Sequence, residues 1–127
     1  MSWKPPKILI GAPTADLKNY CAKEWVENTK SILYPNSVDI FLADNSEDPK
    51  NVKFLKSLGV DAERVEFKKK DSIIKRITKS HNLVRKKALE GGYDFLLHLE
   101  TDIFPPPEVL LSLLSHRKSV IGISYDI

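Results

Sequence analysis

Apolar residues in this chain form short compact runs, and between the runs they recur every three or four positions. Lys7–Gly11 (KILIG), Val38–Ala43 (VDIFLA) and Asp94–Leu99 (DFLLHL) are runs bounded by turn residues, the pattern of buried strands. The last of them reads as buried on both faces. Arg64–Phe67 (RVEF) reads as a shorter, charged strand at or near a sheet edge. Ser119–Ser124 (SVIGIS) reads as a final strand.

The intervening segments carry helical spacing. Asp16 is a candidate N-cap for a helix reaching about Leu33, with Tyr20, Trp25, Ile32 and Leu33 on its apolar faces. Asp48-Pro49 opens a short helix that turns Val52, Leu55 and Leu58 inward and stops at Gly59. Ser72–Glu90 is the longest helix, with Ile73, Ile77, Val84 and Ala88 in register and Gly91-Gly92 at its end. His81 falls on the same stripe, where a packed, hydrogen-bonded histidine is expected. Glu108 begins a last helix containing Val109, Leu110, Leu113 and Leu114.

Strand and helix therefore alternate throughout. Such alternation predicts an α/β fold, a three-layer α/β/α Rossmann-like arrangement around a mostly parallel sheet. Strands 7–11, 38–43, 94–99 and 119–124 are expected to be parallel neighbours. No repeat, low-complexity segment or linker interrupts the chain, so residues 1–127 read as one domain, a size that supports a core.

Composition narrows the function classes. No apolar run approaches the ~20 residues of a membrane span, and the N-terminal residues lack the apolar centre of a signal peptide. Cys21 is the single cysteine, so no internal disulfide is possible, and the expected setting is cytoplasmic. Cys21 itself reads as a small packed residue. Net charge is +3, which does not argue for nucleic acid. Lys and Arg are dense from Arg64 to Lys87, but segment 68–87 has no aromatic side chain to stack on bases, so a nucleic-acid partner is not expected.

Three strand ends carry polar groups: Ala12-Pro13-Thr14, Asp44-Asn45-Ser46 and Glu100-Thr101-Asp102. A parallel sheet places all three along one edge, where open α/β sheets bind ligands. The third is the most pointed. Two carboxylates one residue apart after a buried strand need a partner, and a hard divalent cation is the usual one. Pro105-Pro106-Pro107 then ends the strand register. The first turn has only Gly11, so neither a dinucleotide-binding nor a P-loop glycine pattern is present. Phosphates would have to be held by a metal or by cationic side chains. Asn82 and Arg85, i,i+3 neighbours on the long helix, are candidates to look toward the sheet edge.

GGYDFLLHLETDIFPPPE, the stretch from Gly91 to Glu108, resembles the metal-binding region of GT-A glycosyltransferases, especially the family-2-like group. The family carries a DxD triplet after a buried strand; here it is Glu100-Thr101-Asp102. Ser80-His81-Asn82-Leu83-Val84-Arg85 is similar to the family's Arg/Ser-x-Asn-x-x-Arg pattern. The resemblance implies a GT-A nucleotide-diphospho-sugar transferase fold using Mn²⁺ or Mg²⁺. It implies Asp102 and Glu100 at the metal, Glu100 through ribose or water. Pro13, Thr14, Asp44, Asn82, Arg85 and Glu100 would line the site of a UDP- or GDP-sugar, with an unknown acceptor. It covers the nucleotide-binding half of that fold. The acceptor portion and the catalytic base lie in segments with no counterpart here, and nothing around Asp126, the last acid, marks it as that base. A nucleotidyltransferase-like enzyme shares the acidic strand end, but it lacks support from the first turn. A non-catalytic nucleotide- or nucleic-acid-binding domain is the remaining alternative.

Overall fold

The computed structural model describes residues 4–124. Four strands form one wholly parallel sheet: β1 (Ile8–Thr14), β2 (Asp39–Asp44), β3 (Asp61–Arg64) and β4 (Phe95–His98), in the order β3-β2-β1-β4. The helices are α1 (Ala22–Lys30), α2 (Asn51–Ser57), α3 (Ile73–Glu90) and α4 (Val109–Ser115). Alternation along β1 and β2 sorts them into two layers. Ile8, Ile10, Ile40 and Leu42 share a core with Trp25 of α1, Leu55 of α2 and Leu110 of α4. Leu9, Phe41 and Ala43 face Val84 of α3 on the other side. The fold is thus three-layer α/β/α and Rossmann-like.

β1 runs three residues beyond its expected end and contains Pro13. Hydrogen bonding explains why proline is tolerated. Gly11 O accepts from Leu99 N at 3.2 Å, and Thr14 O from Asn45 N at 2.9 Å. Backbone groups alternate sides, so position 13 faces β4, whose pairing with β1 ends at His98. No ladder bond is lost there. Gly11 has a packing role: an added Cβ would stand 2.7 Å from Val84 Cγ1, which is fully buried. Gly11→Ala is therefore expected to cost about 1–3 kcal/mol through overpacking. Urea unfolding measures it, and an unchanged midpoint would contradict this packing.

Several expectations are corrected. Phe95–Leu99 is not a central strand buried on both faces; β4 is the sheet edge and its residues are half-buried or exposed. Its outer side, which carries the backbone groups of Leu96 and His98, has no neighbouring strand among the described residues. Segment 119–124 forms no strand. It lines an apolar cavity of about 740 Å³ together with Phe95–Leu99 and α4, and Val120 is 91% exposed. A strand exists only through its ladder, and this segment makes none. The third strand lies at Asp61–Arg64, three residues before its expected start; it is at the opposite edge, as its charge implied. The helix expected over 16–33 is split. Residues Asp16–Cys21 are a 3-10 segment; Ala15, not Asp16, takes the N-cap position and no side chain caps it, and α1 starts at Ala22. Tyr20 and Leu33 are exposed, as are Ile73 and Ile77 of α3. No helix among the described residues is long and apolar enough to cross a membrane.

Candidate functional site

The strand order reverses direction between β1 and β4. From β1 the chain moves one way through β2 and β3, then returns to β1's other flank. In open α/β sheets the crevice above such a switch point is the preferred ligand position. At that position here stand Thr14, the last residue of β1, and the Glu100-Thr101-Asp102 turn, just after β4. Thr14 and Thr101 are both buried, and their hydroxyls are 3.4 Å apart. Glu100 is exposed and Asp102 half-buried. A backbone bond from Ile103 N to Glu100 O, 3.0 Å, closes the turn ahead of the prolines.

Asp44 lies on the other flank, directly opposite Thr14 in the β1–β2 register. Its side chain is 0% exposed. Oδ1 accepts from Ser46 N (3.2 Å), Ser46 Oγ (2.7 Å) and Asn51 Nδ2 (3.1 Å). Oδ2 has no hydrogen-bond partner among the described residues. A buried carboxylate oxygen without a donor is unusual and costs stability. Asn45 reaches across to α3, donating to Ser80 Oγ at 3.1 Å.

The 3-10 segment Asp16–Cys21 leaves β1 between these two strand ends. Lys18 Nζ meets Asp102 Oδ2 at 2.6 Å, and that carboxylate holds the Lys18 ammonium above the usual lysine range. The Cys21 thiol donates to Thr101 O at 3.3 Å. It is a hydrogen-bonded, half-buried thiol, in keeping with a packed residue.

Thr14, Asp44, Glu100 and Asp102 therefore come to one edge, with Pro13 beside them. Asn82 and Arg85 do not point there. Ser80 and Val84 are the buried positions of α3, and Asn82, two residues from each, is on the opposite face. Both Asn82 and Arg85 are exposed. The cations expected from α3 are replaced at the acidic turn by Lys18, which sequence reasoning missed. A lysine in a polar stretch carries no local signal of a partner 84 residues away. His81 is exposed rather than packed and hydrogen-bonded; its ring lies 5.5 Å from that of His98. Desolvation of the His98 ring, then the neighbouring His81, holds His98 below the usual histidine range. Asp126 lies outside the described residues.

No protein-family model matches this chain, and no curated protein matches it in sequence.

Proposed function

We propose that this chain is a metal-dependent glycosyltransferase domain that binds a nucleoside-diphosphate sugar at the carboxyl edge of its sheet. The observation that carries the reading is the position of Glu100-Thr101-Asp102 at the β1/β4 switch point, beside Thr14. A cation held by these carboxylates would in turn hold a diphosphate. The donor set suits Mg²⁺ or Mn²⁺, which take one or two protein carboxylates and complete their shell with water and phosphate. Among the described residues no three His, Cys, Asp or Glu side chains group into a fuller cage.

Asp102 is assigned as the direct ligand and Glu100 as a contact through ribose or water. When bound, the cation neutralises charge developing on the leaving diphosphate. The chain's own residues supply the rest. The unpartnered Asp44 Oδ2, buried in this state, would accept from a donor N–H of the base or a ribose hydroxyl once the site opens. Thr14 and Thr101 would supply hydroxyls beneath the acidic turn. Lys18 adds a positive charge beside the diphosphate.

Calorimetric titration of UDP and GDP, with Mn²⁺ and with a chelator, tests the reading. One of the two nucleotides is expected to bind in Mn²⁺ and to lose its affinity in chelator. Absence of binding by either, or binding indifferent to chelator, would sink it.

A further inference from the structure

Residues Asp16–Cys21 run as a six-residue 3-10 helix, longer than such helices usually persist, and none of the six is buried. Leu17 and Tyr20 project outward, 84% and 73% exposed. Apolar packing therefore does not hold the segment down. Four polar contacts do. On the Asp44 side, Asp16 N donates to Ser46 Oγ (2.7 Å) and Asn19 Nδ2 to Asn51 Oδ1 (2.8 Å). Ser46 and Asn51 are the residues that bond Asp44 Oδ1. On the other side, Lys18 pairs with Asp102 and Cys21 bonds Thr101 O. The segment thus spans the two acidic strand ends and is tied to both.

We propose that Asp16–Cys21 is a strap over the site, latched by Lys18 on Asp102, and that a divalent cation opens it by competing with Lys18 for that carboxylate. The proposal rests on Asp102 being the metal ligand. Lys18 occupies Asp102 Oδ2 at 2.6 Å. A cation at the same oxygen would stand within a few ångströms of the ammonium, and two positive charges that close repel strongly in a partly dehydrated crevice. One displaces the other. A segment with no buried residue of its own, anchored only by a few part-buried polar contacts, belongs to the low-stability end of a structure and opens at small cost. The diphosphate of an incoming nucleotide gives the released ammonium a new partner, so nucleotide and cation each favour the binding of the other.

The test uses Mn²⁺ alone, followed by electron paramagnetic resonance, on the wild-type chain and three variants. Lys18→Gln removes the latch. Lys23→Gln removes the same charge from an exposed neighbouring position. Lys18→Gln combined with Asp102→Asn removes latch and ligand together. Lys18→Gln is expected to bind Mn²⁺ at least about tenfold tighter than wild type, because the repulsion between a unit charge and a divalent ion about 4 Å apart exceeds a factor of ten even when well screened by solvent. Lys23→Gln is expected to change affinity by no more than about twofold, being screened. The double variant is expected to lose the gain. Hydrogen exchange at residues 16–21 is expected to speed up in Lys18→Gln without metal. A Lys18→Gln protein no tighter for Mn²⁺ than wild type overturns the latch, as does an equal gain in Lys23→Gln or a gain that survives Asp102→Asn. Nucleotide is absent throughout. Failure to bind UDP or GDP would end the glycosyltransferase reading without deciding this result.

Discussion

Asp102→Asn is expected to leave the protein folded and to abolish its Mn²⁺-dependent affinity for UDP or GDP. The side chain is 31% exposed and its only partner among the described residues is Lys18, itself 43% exposed. Ion pairs that open to solvent contribute about 0–1 kcal/mol, so the urea midpoint should hardly move. Binding should respond very differently. Loss of an outer-shell partner already lowers metal affinity about 10–100-fold, and removing the charge from a direct ligand should exceed that. Glu100→Gln should cost less, because Glu100 is exposed and assigned an indirect contact. Calorimetry at fixed Mn²⁺ reads both variants. Equal nucleotide affinity in Asp102→Asn and wild type would leave the triplet as solvated surface.

Trp25→Ala is expected to have the largest effect on stability. Trp25 is 0% exposed and sits where α1 meets β1, β2 and α4. Truncating a buried aromatic of this size costs about 3–5 kcal/mol, a large part of the 5–15 kcal/mol typical of a whole domain. Trp25→Phe should cost much less. The indole Nε1 is buried without a partner among the described residues, so phenylalanine sheds an unsatisfied donor while keeping most of the ring. Chemical unfolding of the two variants separates the terms. If Trp25→Phe were as damaging as Trp25→Ala, the indole N–H would have a partner in solution.

The layers of this fold were legible because they rest on local periodicity. Leu9 and Ile10, or Phe41 and Leu42, alternate between two cores, and such runs announce themselves in any α/β sequence. Which strand neighbours which is a non-local matter. Phe95–His98 is as apolar at an edge as it would be in the centre, so its edge position had no signature. The shift of β3 has a similar cause. Of Asp61–Arg64 only Ala62 is buried, whereas the more apolar Val65 and Phe67 pack against α3 just outside the ladder. Ile73 and Ile77 misled because α3 outlasts the sheet. Eighteen residues of helix span about 27 Å, and the four residues of β4 only about 13 Å. The start of α3, from Ile73 to Ile77, therefore overhangs. At the site, strand-end carboxylates were readable from chain order alone. The Lys18 and Cys21 contacts were not, since each joins residues about 80 positions apart.

During synthesis β1 leaves the ribosome before the other three strands of the sheet and is completed last. Its β2 partner follows soon after, but Ile8 must wait for Phe95, and Gly11 for His98. The roughly 30 residues between Arg64 and Phe95 take about 1.5–6 s to be made at ordinary elongation rates. Through that interval the flank of β1 that β4 will cover, with the backbone groups of Leu9 and Gly11, is an open apolar edge on a nascent chain. Chaperone capture or pairing with a neighbouring polypeptide would begin there. Slow codons placed after Arg64 would lengthen the exposure, and a faster passage through α3 would shorten it.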